Sequence, residues 1–207
     1  MELLVTVADV RSRLVLPVHT DVDNAITSAI TAAQLDVEAQ LGLTFAAQQG
    51  GSDLFHVDVE SLWTTLPHDV APLRLHTGFV NRASLVLTRF DFLEDALDSE
   101  YAGGEVINPR YYMMSERDAI MGVVRVNTAY YDKTFVRVQY DSGMEDEAPD
   151  WLRQAIIERT TTMISTVAPS KDTPQAVSLG KNNKDNTLML LRPFNRRAVA
   201  FAFDPVN

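Results

Sequence analysis

Acid–base or metal chemistry in this chain would have to start from four histidines, His19, His56, His68 and His76. None stands at the spacing that lets two imidazoles share a metal. His68-Asp69 could orient an imidazole, because a carboxylate beside a ring N–H fixes its tautomer. It lies between Pro67 and Pro72 with no nucleophile nearby in sequence, so a hydrolase built on it ranks last. Cysteine is absent, which excludes disulfides and thiolate metal sites. No P-loop, dinucleotide fingerprint, nucleophile elbow or paired-histidine zinc motif occurs. Gly103-Gly104 has no following lysine to hold a phosphate. The acidic run 141–147 lacks the alternating ligands of a calcium loop and reads as a solvated turn before a helix. Met113, Met114, Met144 and Met163 read as packing residues. Trp63 and Trp151 are too isolated to form a sugar or base platform, which argues against a ligand-binding β module. The expectation is a protein that is not an enzyme, with no catalytic residue, no metal and no cofactor.

The composition supports a folded domain. Of 207 residues, 46% are hydrophobic, enough to build a core and too many for a disordered polymer. No apolar run approaches the ~18 residues of a membrane span, and the N-terminus lacks the basic start of a signal peptide. No membrane association is expected. The net charge of −10 is unevenly spread. Residues 1–166 carry 12 Lys+Arg against 25 Asp+Glu, whereas residues 167–207 carry six against three. An acidic body with a basic tail implies that the two parts face different surroundings. Such a body is a poor candidate for tight DNA binding, which needs clustered cations, and a solvated acidic surface that keeps the protein soluble is the plain alternative reading of its charge.

The periodicities give an α+β order. A short helix is expected from Val7 to Leu14, capped by Thr6 with Asp9 at its third position. A longer one should span Val22–Leu41, with Asp21 as N-cap and Gly42 as stop. Its apolar stripe is Val22, Ile26, Ala29, Ile30, Ala33, Val37 and Leu41. Asn24, Thr31, Gln34, Asp36, Glu38 and Gln40 populate the opposite face. Residues 48–53 read as a turn, and a β region follows over 52–141. Phe55, Val57 and Val59 alternate with polar residues. Leu73–Leu75 and Ala83–Leu87 are further strands, and the acidic stretch 94–100 is an excursion. Ile120–Val126 and Thr134–Tyr140 should pair as a hairpin turning at Asp132-Lys133. A last helix over 149–167 starts at Pro149 and buries Leu152, Ala155, Ile156, Met163, Ile164 and Val167, with Arg159 and Thr160 as weak points. Ile26, Ile30, Val37, Leu152, Ile156 and Ile164 should be buried together.

These elements make a body over 1–168. Residues 169–207 form a C-terminal extended arm. After a polar linker, 188–191 and 198–203 read as strands. Leu188, Leu190, Arg192, Phe194, Arg196, Arg197, Val199, Phe201 and Phe203 are its candidate docking residues. Apolar strands on a basic tether suit addition to a partner's sheet better than folding back on the body.

This order and its wording resemble the head–tail connector (adaptor, head-completion) family of long-tailed bacteriophages. One match is Val5-Thr6-Val7-Ala8-Asp9-Val10-Arg11-Ser12-Arg13-Leu14, followed by Asp23 and residues 29–42, a short helix and then a long one ending in Leu-Gly. The other is Phe135-Val136-Arg137-Val138-Gln139-Tyr140-Asp141-Ser142-Gly143, leading into Pro149-Asp150-Trp151-Leu152-Arg153-Gln154-Ala155-Ile156. The matches cover 5–42 and 135–167; the middle fits loosely and the tail hardly at all. The resemblance implies a bundle of the N- and C-terminal helices with the antiparallel β region between them. It also implies a homo-oligomeric ring, generally twelvefold, in the virion neck between capsid and tail, assembled in the host cytoplasm. Such a ring binds the portal protein and a stopper or tail-completion protein, and it extends a channel through which DNA passes without specific binding. Glu94, Asp95, Asp98, Glu145, Asp146 and Glu147 are the candidate channel or acidic-surface residues. A tail-completion or stopper protein is the nearest alternative.

Overall fold

The computed structural model describes residues 3–14, 20–58, 70–98, 103–127, 131, 133–144, 148–167, 187, 189–194 and 203–206. The fold is α+β with antiparallel sheets, and it divides into two compact units. One comprises residues 1–42 and 146–195, the other 43–145 and 196–207.

The first unit is helical. Helix α1 (Val7–Leu14) opens with a reciprocal cap. Thr6 Oγ1 accepts the Asp9 N–H at 3.2 Å, and the Asp9 carboxylate accepts the Thr6 N–H at 3.0 Å. The Thr6 N–H and the Thr6 hydroxyl, which donates to the same carboxylate oxygen at 2.7 Å, hold the Asp9 carboxyl below its ordinary pKa, with a smaller contribution from Arg153. Helix α2 (Thr20–Leu41) starts earlier than its spacing predicts, so Asp21 lies inside the first turn and is not the cap. It ends where expected: Gly42 takes φ +67° and returns its N–H to Glu38 O at 2.8 Å. Helix α5 (Asp150–Val167) opens directly after Pro149, whose carbonyl accepts the Leu152 and Arg153 N–H groups. α5 packs along both α2 and α1. Ile26, Ile30, Ala33, Val37, Leu41, Leu152, Ala155 and Ile156 are buried as their spacing predicts, while Ile164 is only partly so.

Gln34 is a correction. It sits on the supposed polar face but is buried, because its side-chain oxygen accepts the Leu4 N–H at 3.2 Å. Of the weak points of α5, Thr160 is buried and Arg159 partly so. Thr160, Thr161 and Thr162 are buried, each hydroxyl donating to the carbonyl four residues back. Arg159 reaches Asp36 of α2 at 2.5 Å.

The second unit holds two sheets. β1 (Gln48–Val57), β7 (Thr134–Ser142), β3 (Val86–Phe90) and β4 (Glu105–Val106) form one sheet in that order. β2 (Val70–Arg74), β6 (Val123–Asn127) and β5 (Tyr112–Met113) form the other. Helices α3 (Leu93–Leu97) and α4 (Glu116–Met121) complete it. Inward residues of both sheets share one apolar cluster, including Phe55, Leu73, Leu87, Val124, Val126, Val136 and Val138.

Several expectations for this region fail. Residues 48–53 are not a turn but the first half of β1. Its glycines mark a bulge where the register against β7 shifts between Gln48 and Gly51, with Gly50 at φ +68°. Pro72 lies within β2, an edge strand of its sheet, where a missing N–H is tolerated. The strand expected at Ala83 starts at Val86, and the acidic stretch contains α3. Ile120 belongs to α4, and the strands after it do not form a hairpin. β6 pairs with β2 and β5, whereas β7 pairs with β1 and β3. Alternation identifies which face of a strand is buried but not which strand lies beside it.

The tail also differs. Residues 189–191 are helical and Arg192–Phe194 is a 3-10 turn, so the strand over 188–191 is not formed at its described residues. Leu191 is buried and Phe194 stacks on Trp151 of α5, with ring centroids 4.0 Å apart. Phe203 exchanges backbone hydrogen bonds with β2 (Phe203 N to Pro72 O, 2.9 Å; Arg74 N to Phe203 O, 2.8 Å), and Val206 N donates to Leu54 O of β1 at 2.7 Å. The described tail residues therefore fold back onto their own chain.

Truncating Ile156 to Ala removes a fully buried side chain from the helical unit. The expected loss is about 2–5 kcal/mol in urea denaturation. An unchanged midpoint would mean that the α5 face is not packed as described.

Candidate functional site

The register of the four-stranded sheet decides which side chains share a face. Ser52 opposes Gln139, which opposes Val86; Leu54 opposes Arg137, then Thr88, then Val106; His56 opposes Phe135, then Phe90. These three rows lie on the face turned away from the apolar cluster. Helix α3 lies over part of it. The Arg137 guanidinium donates to the carbonyls of Ala96 and of Asp98, the latter at 3.1 Å, and stands 4.8 Å from the Phe90 ring centroid. One arginine therefore fixes the helix through its carbonyl end and an aromatic face.

α3 forms a ridge between two clefts. On one side a cleft of about 420 Å³ is lined by Leu54, Gln139, Ala96, Leu97 and Val206 among others. On the other, about 220 Å³ is bounded by Arg89, Phe92, Asp95 and Glu105. The ridge is apolar and acidic at once: Phe92, Leu93 and Leu97 are exposed, and Glu94, Asp95 and Asp98 stand among them. Three of the six acidic candidates thus come together on one short helix and its end. Glu145, Asp146 and Glu147 lie outside the described residues.

The docking candidates fare differently. Leu188, Arg196, Arg197, Val199 and Phe201 lie outside the described residues. Leu190 is partly buried, Arg192 is exposed, and Phe194 and Phe203 are engaged within the chain.

One polar site escaped the sequence reading. Asp53, 4% exposed, accepts the Tyr140 hydroxyl at 2.7 Å and the His76 N–H at 2.7 Å, and it meets His76 Nδ1 at 2.5 Å. The imidazole itself is largely exposed at the rim of the larger cleft. No local signal links residues 23 and 87 positions apart, and by sequence Asp53 reads as the end of a turn. His56 stacks on Phe135, with centroids 4.8 Å apart. His19, His68 and Asp69 lie outside the described residues. Among the described residues no three His, Asp or Glu side chains converge as metal ligands, and no helix is long and apolar enough to cross a membrane. The Asp118 carboxyl is pushed up by burial. Hydrogen bonds from Arg125 and Ser115 and the Arg125 charge outweigh that, leaving it below the ordinary value. This is a cap and an ion pair supporting α4.

No protein-family model matches the chain, and no curated protein matches it.

The Asp53 network makes a structural demand. Changing Tyr140 to Phe removes one of its donors and should cost about 1–3 kcal/mol of stability. Equilibrium unfolding of the variant against the wild type measures it. A difference near zero would show that the hydroxyl bond contributes nothing.

Proposed function

We propose that this chain is a structural protein of the tailed-phage neck, a head–tail connector that assembles as a ring between the portal and the stopper or tail. One observation carries the reading: the order of its motifs together with the elements they occupy. The stretch 5–14 is a capped short helix, and 29–42 closes a long helix at a left-handed glycine. Residues 135–142 are a sheet strand, and 150–156 open a helix that packs against the first two. The chain leaves a helical unit, builds a β unit and returns to the first, as the resemblance implies.

Electrostatics supports the same role. A ring built from a body with 25 acidic and 12 basic residues over 1–166 repels phosphate. DNA can then pass without the cation contacts that would hold it. The tail, with its excess of positive charge, is the part suited to an acidic partner.

A connector of this kind binds the portal directly. Purified chain should co-sediment with portal rings from the same phage, in the absence of any other neck protein. Failure to co-sediment with portal, together with binding to a preformed portal–connector assembly, would overturn the connector reading in favour of a stopper.

A further inference from the structure

The ridge around α3 has the composition of a contact surface. Five of the nine exposed large apolar side chains among the described residues are Val86, Phe92, Leu93, Leu97 and Val106. Val86, Thr88 and Val106 share the outer sheet face by register. Leu93 and Leu97 stand one helical turn apart on α3, so they point the same way. Large apolar residues scattered singly need no explanation, but a continuous group of them does.

Carboxylates surround this group. Asp91, Glu94, Asp95, Asp98 and Glu105 all belong to α3 or its immediate neighbours. Arg89 partly answers Asp91, at 2.8 Å, and Glu105, at 3.8 Å. Glu94 and Asp95 have no cation at ion-pair distance among the described residues. The occupant should therefore be an apolar segment flanked by positive charge.

The chain itself contains such a segment. Residues 171–184 carry Lys171, Lys181 and Lys184 against the single Asp172, and between the lysines lie Val177 and Leu179, alternating with Ser178. The stretch 168–186 joins Val167 to Thr187. Its 19 residues, at roughly 3.3–3.6 Å each, reach about 30 Å from their anchors and back. Both anchors belong to the helical unit, whereas the ridge belongs to the β unit.

We propose that the α3 ridge binds a second copy of this chain, receiving residues 171–184 of the neighbour. Val177 and Leu179 would cover Phe92, Leu93 and Leu97, with the lysines meeting the carboxylates. Donor and acceptor are different surfaces, so the contact is head-to-tail and can close into a ring. The inference rests on the ring reading and adds to it the place where subunits join. It assigns Glu94, Asp95 and Asp98 to that junction and removes them from the candidates for the DNA channel.

Two full-length variants test the contact. In one the surface is reversed (E94K/D95K/D98K); in the other the segment is reversed (K171E/K181E/K184E). Native mass spectrometry and light scattering at low salt read the association of each alone and of an equimolar mixture. Each variant alone sets like charges against each other and should associate at least about tenfold more weakly than wild type. The mixture should recover assemblies with equal numbers of both variants, because every contact in it pairs opposite charges. Circular dichroism checks that both are folded; should the first not fold, E94Q/D95N/D98N replaces it, with weaker association expected. A mixture that stays monomeric overturns the proposal, including the case in which the segment folds onto its own chain. So do wild-type-like assemblies from either variant alone, but a closed ring in that case leaves the ring reading standing. If wild type does not associate either, the proposed contact fails, and portal co-sedimentation judges the ring reading separately.

Discussion

The β unit depends on one buried carboxylate. Asp53 faces inward from β1, where a side chain without hydrogen bonds would be costly to bury. Three contacts make the position tolerable, from Tyr140 of β7 and twice from His76, two residues after β2 ends. The bonds tie the edge strand of the larger sheet to its neighbour and to the chain leaving the smaller sheet. They fix the direction of β1 and, through register, which residues its outer face presents. The Val206–Leu54 bond then joins the C-terminal segment to the opposite edge of the same strand. The outer face and its clefts are in this sense a consequence of what the inner face must satisfy.

Much of the helical unit was legible in the chain, for a local reason. A reciprocal cap at Thr6 and Asp9, a stripe at three- and four-residue spacing and a left-handed glycine after Leu41 all act within one or two turns. Gln34 was misread because its partner, the Leu4 backbone, is thirty residues away. The β unit was legible strand by strand and illegible as a topology. Val123 and Val124 are both buried although they point to opposite faces of β6, and nothing in the alternation of β7 reveals that it pairs elsewhere. The bulge at Gly50 looked like a turn because the same residue types serve both. Of the candidate site, the acidic stretch 94–98 was visible in composition. Its meeting with Leu54, Arg137 and Val206 around one cleft was not, because it depends on sheet register.

These features are what the proposed assembly role requires. Five of the nine exposed large apolar side chains among the described residues lie on α3 or the sheet face beside it. The acidic body and the basic segments of the tail are opposite in sign, so like faces of two copies repel while unlike parts attract. That asymmetry is what the proposed head-to-tail contact needs and a symmetric dimer does not.

The central claim is that copies of this chain close into a ring with an open axis. Electron micrographs of the purified protein, alone and mixed with portal, test it most directly. The account predicts annular particles with a central channel, formed by the protein itself or stacked coaxially on one end of the portal. Single compact particles in both samples, with bare portal rings beside them, would contradict it.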